Sequence, residues 1–208
     1  MSRASSDLDL PIDVSRETTD HLKYYTTVLL KWNRRINLIS RGSEKEVWKR
    51  HVLDSLQLWS FRPANALRWV DLGSGAGFPG LVVAIVARAQ APDLTITLVE
   101  SDARKCAFLN TVLADLSLNA TVINERIEDV ERLQADVISA RALAPLEDLL
   151  GFAEKHRRTG GICLFPKGET VHKELEAARK LWTFDCQVHR SRTNAASAIL
   201  EIGAFERD

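Results

Sequence analysis

Leu22, Tyr25, Leu29, Trp32 and Ile36 recur at spacings of three and four, which predicts an amphipathic helix over 15–38. A second helix is expected to open at Ser43, where Ser43-Glu44-Lys45-Glu46 reads as a capping box. It should run to about Trp59 with Val47, His51, Ser55 and Leu58 on one stripe, and Phe61-Arg62-Pro63 should stop it. From there the pattern switches to short apolar runs alternating with helical stretches. Strands are expected at 67–72, 94–99, 120–123, 136–139 and 161–165, with helices at 79–89, 102–116, 127–133, 145–156 and 169–181 between and after them. This alternation predicts a mostly parallel sheet covered on both faces. Two further strands, 184–189 and 198–205, follow one another with only a short link and should form an antiparallel pair at one edge. The chain therefore divides into a helical cap over 1–63 and one α/β domain of seven strands over 64–208.

Composition changes this picture little. The chain has 208 residues, 45% of them apolar and 27% charged, as expected of a folded globular protein. No apolar run approaches the length of a membrane span. The first residues, Met1 to Asp7, lack the apolar core of a secretory signal and read as a polar tail. Cys106, Cys163 and Cys186 are not at metal-ligand spacing, so no metal is expected, and an odd count without a leader points to reduced thiols in the cytoplasm. Net charge is zero, which does not advertise a nucleic-acid binder. Its distribution does more: seven Lys and Arg side chains between Lys31 and Arg50 face only Glu44 and Glu46, and Lys155-His156-Arg157-Arg158 forms a second cluster.

The candidate chemistry starts at Asp71-Leu72-Gly73-Ser74-Gly75-Ala76-Gly77-Phe78-Pro79-Gly80, between the first strand of the sheet and a helix. Glycines there let the backbone turn sharply and approach a nucleotide. Gly75, Gly77 and Gly80 also satisfy a dinucleotide fingerprint. Two features favour S-adenosylmethionine instead. Gly73 follows the strand directly, giving the register G-x-G-x-G, and Asp71 offers a carboxylate to the cationic end of that cofactor where a pyrophosphate would be repelled. Glu100, at the end of the second strand, is placed to accept hydrogen bonds from two ribose hydroxyls.

These residues resemble the ribosomal RNA small-subunit methyltransferase G family, also called glucose-inhibited division protein B. The resemblance runs from about Trp32 to Lys167. It rests on Trp32-Asn33 with Asn37-Leu38-Ile39-Ser40, on Arg50-His51-Val52-Leu53-Asp54-Ser55, on the glycine segment, on Glu100-Ser101 before Lys105, on Ser139-Ala140-Arg141-Ala142 and on Pro166-Lys167-Gly168. It implies a class I S-adenosylmethionine-dependent methyltransferase with a Rossmann-like sheet, acting on N7 of a guanine in 16S ribosomal RNA or the small ribosomal subunit. By resemblance Gly73 and Phe78 contact the cofactor, Ile127-Glu128 holds its adenine, and Arg141 lies at the mouth of the site. Where the family often carries a basic residue before its last strand, this chain has Asn194-Ala195-Ala196-Ser197, with Arg192 the nearest basic side chain, so that role is not carried over.

The chemistry agrees. Guanine N7 has a free in-plane lone pair, so alignment and exclusion of water suffice and no general base is required. The segment after the fourth strand, Ser139 to Pro145, lacks the Asn/Asp-Pro-Pro-aromatic pattern of exocyclic amine methylation, and no cysteine is placed for C5 chemistry. The expected site is therefore Asp71, Gly73, Gly75, Gly77, Phe78, Glu100, Ile127, Glu128 and Arg141 around the cofactor, with Arg141 and Lys167 as the catalytic cations. His51 and Asp54, three apart on one helix face, are expected to tie the cap to the sheet domain, and Trp32, Trp48 and Trp59 to pack in the core. Two other readings stay open on the residues alone: the same cofactor with a small molecule or protein as acceptor, and a non-catalytic nucleotide-binding regulatory module.

Overall fold

The computed structural model describes residues 10–207, so the polar tail expected over Met1 to Asp7 lies outside the described residues. Seven strands form one sheet: β1 Arg68–Leu72, β2 Thr95–Val99, β3 Ala120–Ile123, β4 Ala135–Ala140, β5 Arg157–Lys167, β6 Trp182–Arg190 and β7 Ala198–Arg207. Their order is β3-β2-β1-β4-β5-β7-β6. Pairings from β3 across to β5 are parallel, whereas β7 runs antiparallel to both β5 and β6. The last two strands thus form the expected antiparallel edge, with β7 inserted between β5 and β6. Every residue of β4 is buried, and in β1 only Arg68 is exposed. Helices on both faces explain why these strands read as apolar runs and not as alternations.

The helices are α1 Arg16–Asn33, α2 Asp54–Leu56, α3 Gly80–Gln90, α4 Ala103–Leu116, α5 Leu146–His156 and α6 Val171–Ala178. Ser15 caps α1 by accepting the Thr18 N–H at 3.1 Å. The predicted stripe of α1 is buried at Leu22, Tyr25 and Leu29. It covers α3, in which every residue from Gly80 to Ala87 is buried. A helix apolar on all sides needs cover on all sides, and α3 finds it between the sheet and α1. Cap and sheet consequently share one core, with Trp32, Trp48 and Trp59 packed at its margin. No helix among the described residues is long and apolar enough to cross a membrane.

Two expectations need correction. The second cap helix starts at Arg41, and Ser43 does not cap Glu46; its hydroxyl turns back to the Ser40 carbonyl at 2.8 Å. The segment also changes pitch, from a 3₁₀ stretch at Arg41–Glu46 through a π turn at Trp48–Leu53 and the single α turn α2 to a 3₁₀ stretch at Gln57–Phe61. Second, 127–133 is not a helix. The Arg126 carbonyl accepts from Asp129 N (3.0 Å) and Val130 N (3.2 Å), one turn forms, and the chain runs on into β4.

Candidate active site

The carboxyl ends of β1, β2 and β4 meet the loop that leaves β1, and a cavity of about 510 Å³ opens there. The loop is knit by its own backbone: Ser74 N donates to Val99 O at 3.0 Å, Gly77 N to Ser74 O at 2.7 Å, and Leu81 N to Gly77 O at 2.8 Å. Gly75 has φ +55°, and a Cβ on it would meet only the Gly73 carbonyl oxygen, at 3.7 Å. The backbone at Gly75 is therefore bare towards the cavity and in a conformation that L side chains resist. Gly80 does a different job. A Cβ there would lie 2.3 Å from Leu98 Cδ2 and 2.7 Å from Asp71 Oδ2, so glycine is what lets α3 begin against β1 and β2.

Two carboxylates organise the loop. Glu100 is buried and accepts Gly75 N–H on Oε2 (2.9 Å) and Asp102 N–H on Oε1 (2.8 Å). Each oxygen retains a lone pair. Asp102 in turn caps α4. Asp71 has no solvent exposure. Trp69 Nε1 donates to Ser139 Oγ at 2.9 Å, and Ser139 donates to Asp71 Oδ1 at 2.6 Å, across the β1–β4 register that pairs Asp71 with Ser139. The other oxygen, Oδ2, completes no hydrogen bond of good geometry, although the nearby Gly80 amide draws its pKa down. Burial outweighs these bonds and pushes the Asp71 carboxyl up to about 6.

Of the residues expected from sequence, Gly73, Gly75, Phe78, Glu100, Ile127, Glu128 and Arg141 all line the one cavity. Asp71 and Gly77 do not. Asp71 lies behind the loop, and Gly77 is inside its turn. Ile127 and Glu128 are held from α5, where His156 Nε2 donates to the Ile127 carbonyl at 3.0 Å and Lys155 donates to the Glu128 carbonyl. Lys167 lines a smaller neighbouring cavity of about 250 Å³. There it is neutralised by Glu174 Oε2 at 2.7 Å and also donates to Ala144 O at 3.1 Å, so it is a tethered cation and not a free one.

Arg141 stands between the two cavities and lines both. Its partners come from the cap. Nη2 donates to His51 Nδ1 at 2.9 Å, Nη1 donates to the Arg50 carbonyl at 3.2 Å and lies 3.6 Å from Asp54 Oδ2, and the guanidinium sits 5.1 Å over the Phe78 ring. His51 and Asp54 therefore do tie the cap to the sheet, with Arg141 as the shared anchor. A guanidinium cannot accept a hydrogen bond, so Nδ1 of His51 must be the acceptor and the proton sits on Nε2. Burial, then Arg141 and Arg50, lower the His51 pKa to about 4. The ring also stacks on Phe78 at 5.1 Å. Sequence reasoning missed Tyr25, whose hydroxyl donates to Ala76 O at 2.6 Å inside the glycine loop. Its place on an apolar stripe marked it only as core.

A parallel sheet with one reversed strand near its edge, a glycine turn after β1 and a carboxylate at the end of β2 define a class I S-adenosylmethionine-dependent methyltransferase. Solved structures agree at the level of fold: a putative O-methyltransferase from Klebsiella pneumoniae (TM-score 0.59, 12% identity, 92% of this chain and 91% of that one) and M. jannaschii TYW2 in complex with AdoMet (0.55, 16%, 84% and 80%). A family model described as GidB, rRNA small subunit methyltransferase G, matches residues 18–201, and the chain belongs to that family. Among its relatives, the ribosomal RNA small subunit methyltransferase G of Ruegeria sp. (strain TM1040) is 47% identical over 96% of this chain and 97% of its own length. That of Paramagnetospirillum magneticum (strain ATCC 700264 / AMB-1) is 48% identical over 93% and 92%.

Proposed function

We propose that the protein transfers the methyl group of S-adenosylmethionine to N7 of a guanine in 16S ribosomal RNA, in the cytoplasm, with the RNA or the small ribosomal subunit as its partner. Within the site, the observation that carries this reading is the state of His51. The imidazole beside Arg141 has its lone pair engaged and its pKa near 4, so it offers no base to an acceptor that must lose a proton. Guanine N7 has no proton to lose, and the family is described as methylating small-subunit rRNA.

The residues present fit the cofactor. Gly75 leaves open space beside its backbone, and Glu100 keeps a lone pair on each oxygen for a pair of ribose hydroxyls. Gly73 and Phe78 line the same wall, and the Ile127–Glu128 turn, braced by His156 and Lys155, takes the adenine. Asp71 acts by its field across the loop, because it is fully buried. S-adenosylmethionine supplies, when bound, an electrophilic methyl group. Arg141 supplies a fixed cation at the acceptor side for guanine O6 or a phosphate. Lys167 with Glu174 closes the wall of the second cavity. The helical segment up to residue 63 serves as a cap over the domain that follows.

The test is incubation with S-adenosylmethionine and 16S RNA, naked or in small subunits, from a strain lacking the modification. Mass analysis of nuclease fragments should find one methyl group, on one guanine, at a position showing N7-specific chain cleavage. Methyl transfer to an exocyclic amine, or to a small molecule only, would replace this function.

A further inference from the structure

Asp54 joins three parts of the chain through one carboxylate. Oδ2 faces Arg141 Nη1 at 3.6 Å. Oδ1 accepts from Thr193 Oγ1 at 2.8 Å, from Ser191 Oγ at 3.3 Å and from Gln57 Nε2 at 3.2 Å. Gln57 adds a second link to the β6–β7 connection, accepting Arg192 N–H on Oε1 at 2.6 Å. The side chains of Arg141 and Asp54 are 18% and 17% exposed, so solvent does not screen the pair as it would a surface pair. The other groups that touch Arg141 are neutral: a carbonyl, an imidazole with its lone pair donated, and the face of Phe78; Asp71, behind the loop, attracts it without a direct contact. Asp54 also lines the smaller cavity, with Arg141, Lys167 and Ser197.

We infer that Asp54 is a positioning residue: it fixes Arg141 at the wall between the two cavities and seats the 191–197 connection beside it, so that the acceptor side of the site is assembled by the joining of cap, β4–α5 connection and β6–β7 connection. This rests on the larger cavity being the methyl-transfer site. A guanidinium held on one side only by neutral groups swings among rotamers; a carboxylate held in turn by two hydroxyls and an amide gives it one pose. The β6–β7 connection, remote from the cofactor loop, thereby gains a say in the reaction.

The experiment uses the full chain with Asp54→Asn, Arg141→Ala, their double variant, and the pair Ser191→Ala with Thr193→Val. Asparagine keeps an acceptor for Thr193 and removes the charge facing Arg141. Asp54→Asn should lower kcat about 10- to 100-fold while KM for RNA and cofactor affinity stay within about 3-fold. The double variant should be no slower than Arg141→Ala alone, since both changes disable one device. Ser191→Ala with Thr193→Val should lower kcat about 3- to 10-fold, because the carboxylate loses its two hydroxyl anchors and keeps only Gln57. In nitrogen-15 spectra the Arg141 guanidinium should rotate slowly in the wild type and freely in Asp54→Asn. Wild-type kcat in folded Asp54→Asn, effects that add in the double variant, or an Arg141 signal still restrained without the carboxylate would overturn the inference. A wild-type protein that methylates no RNA would instead remove the proposed function, and the guanidinium spectra would still decide whether Asp54 holds Arg141.

Discussion

The hydroxyl of Tyr25, in the middle of α1, donates to the carbonyl of Ala76 at 2.6 Å, and both groups are buried. One hydrogen bond therefore connects the cap to the glycine loop that faces the cavity. Tyr25→Phe leaves that carbonyl without its partner, at a cost of roughly 1–3 kcal/mol. The ring still packs on Phe78, 5.3 Å away, so the fold should survive. Urea titration should show the destabilisation, and calorimetry should show cofactor affinity reduced several-fold. Undiminished affinity would mean that the loop holds its shape without the cap.

The same residue shows where the sequence stops being legible. The period of α1 announced that Tyr25 faces inward, but its hydroxyl partner is 51 residues away and leaves no local trace. The sheet was legible because β1 and β4 are covered on both faces and so read as apolar runs. The 127–133 segment misled for a physical reason. Ile127, Val130 and Leu133 have helical spacing, yet only one turn forms: Ile127 lines the cavity, and by Ala135 the chain is already in β4. Arg141 was legible as a cation after a strand. Its partner was not: Glu147, far nearer along the chain, is passed over for Asp54 in the cap. Lys167 looked free because its neutralising partner, Glu174, is brought to it by α6.

Arg34 and Arg35 are exposed just before Leu38 and Ile39, which line the cavity. Part of the basic excess of 31–50 is therefore solvent-facing and adjoins in sequence a segment that lines the cavity. Replacing both arginines by glutamate should weaken RNA binding and flatten its dependence on salt, since fewer counterions are released. The log–log slope should fall by roughly 0.7–0.9 for each phosphate no longer neutralised. Cofactor affinity should not change. An unaltered salt slope would mean that RNA approaches from another side.

Asp71 links cofactor binding to pH. Its pKa, raised by burial to about 6, means that the free protein takes up a proton there as pH falls through 6. A cationic ligand across the loop favours the ionised form and must expel that proton. Affinity for S-adenosylmethionine should therefore be flat above about pH 6 and fall below it, approaching about tenfold per pH unit. Calorimetry in buffers of different ionisation enthalpy should detect proton release near pH 6, and Asp71→Asn should abolish both effects. Affinity independent of pH in the wild type would mean that the field of Asp71 does not reach the ligand.

His51 has the opposite linkage. Its folded pKa is about 4 against an ordinary 6.5, so the folded chain refuses a proton that the unfolded chain accepts. The stability this contributes is present above pH 6.5 and is lost as pH falls towards 4. For Asp71 the raised pKa works the other way: its contribution is full below 3.8 and is lost as pH rises to about 6. Between about pH 4 and pH 6 the two slopes oppose each other, and wild-type stability should change little on their account. His51→Asn, which keeps an acceptor for Arg141 but cannot titrate, should unmask the Asp71 slope, with stability falling as pH rises through that interval. Urea titrations of both proteins across the interval measure this. The same tautomer governs catalysis. With Nδ1 occupied by Arg141, His51 takes no proton from the acceptor, so kcat should show no step near pH 6.5. A step there that disappears in His51→Asn would make the imidazole a base, and would end the case for an acceptor atom that arrives without a proton.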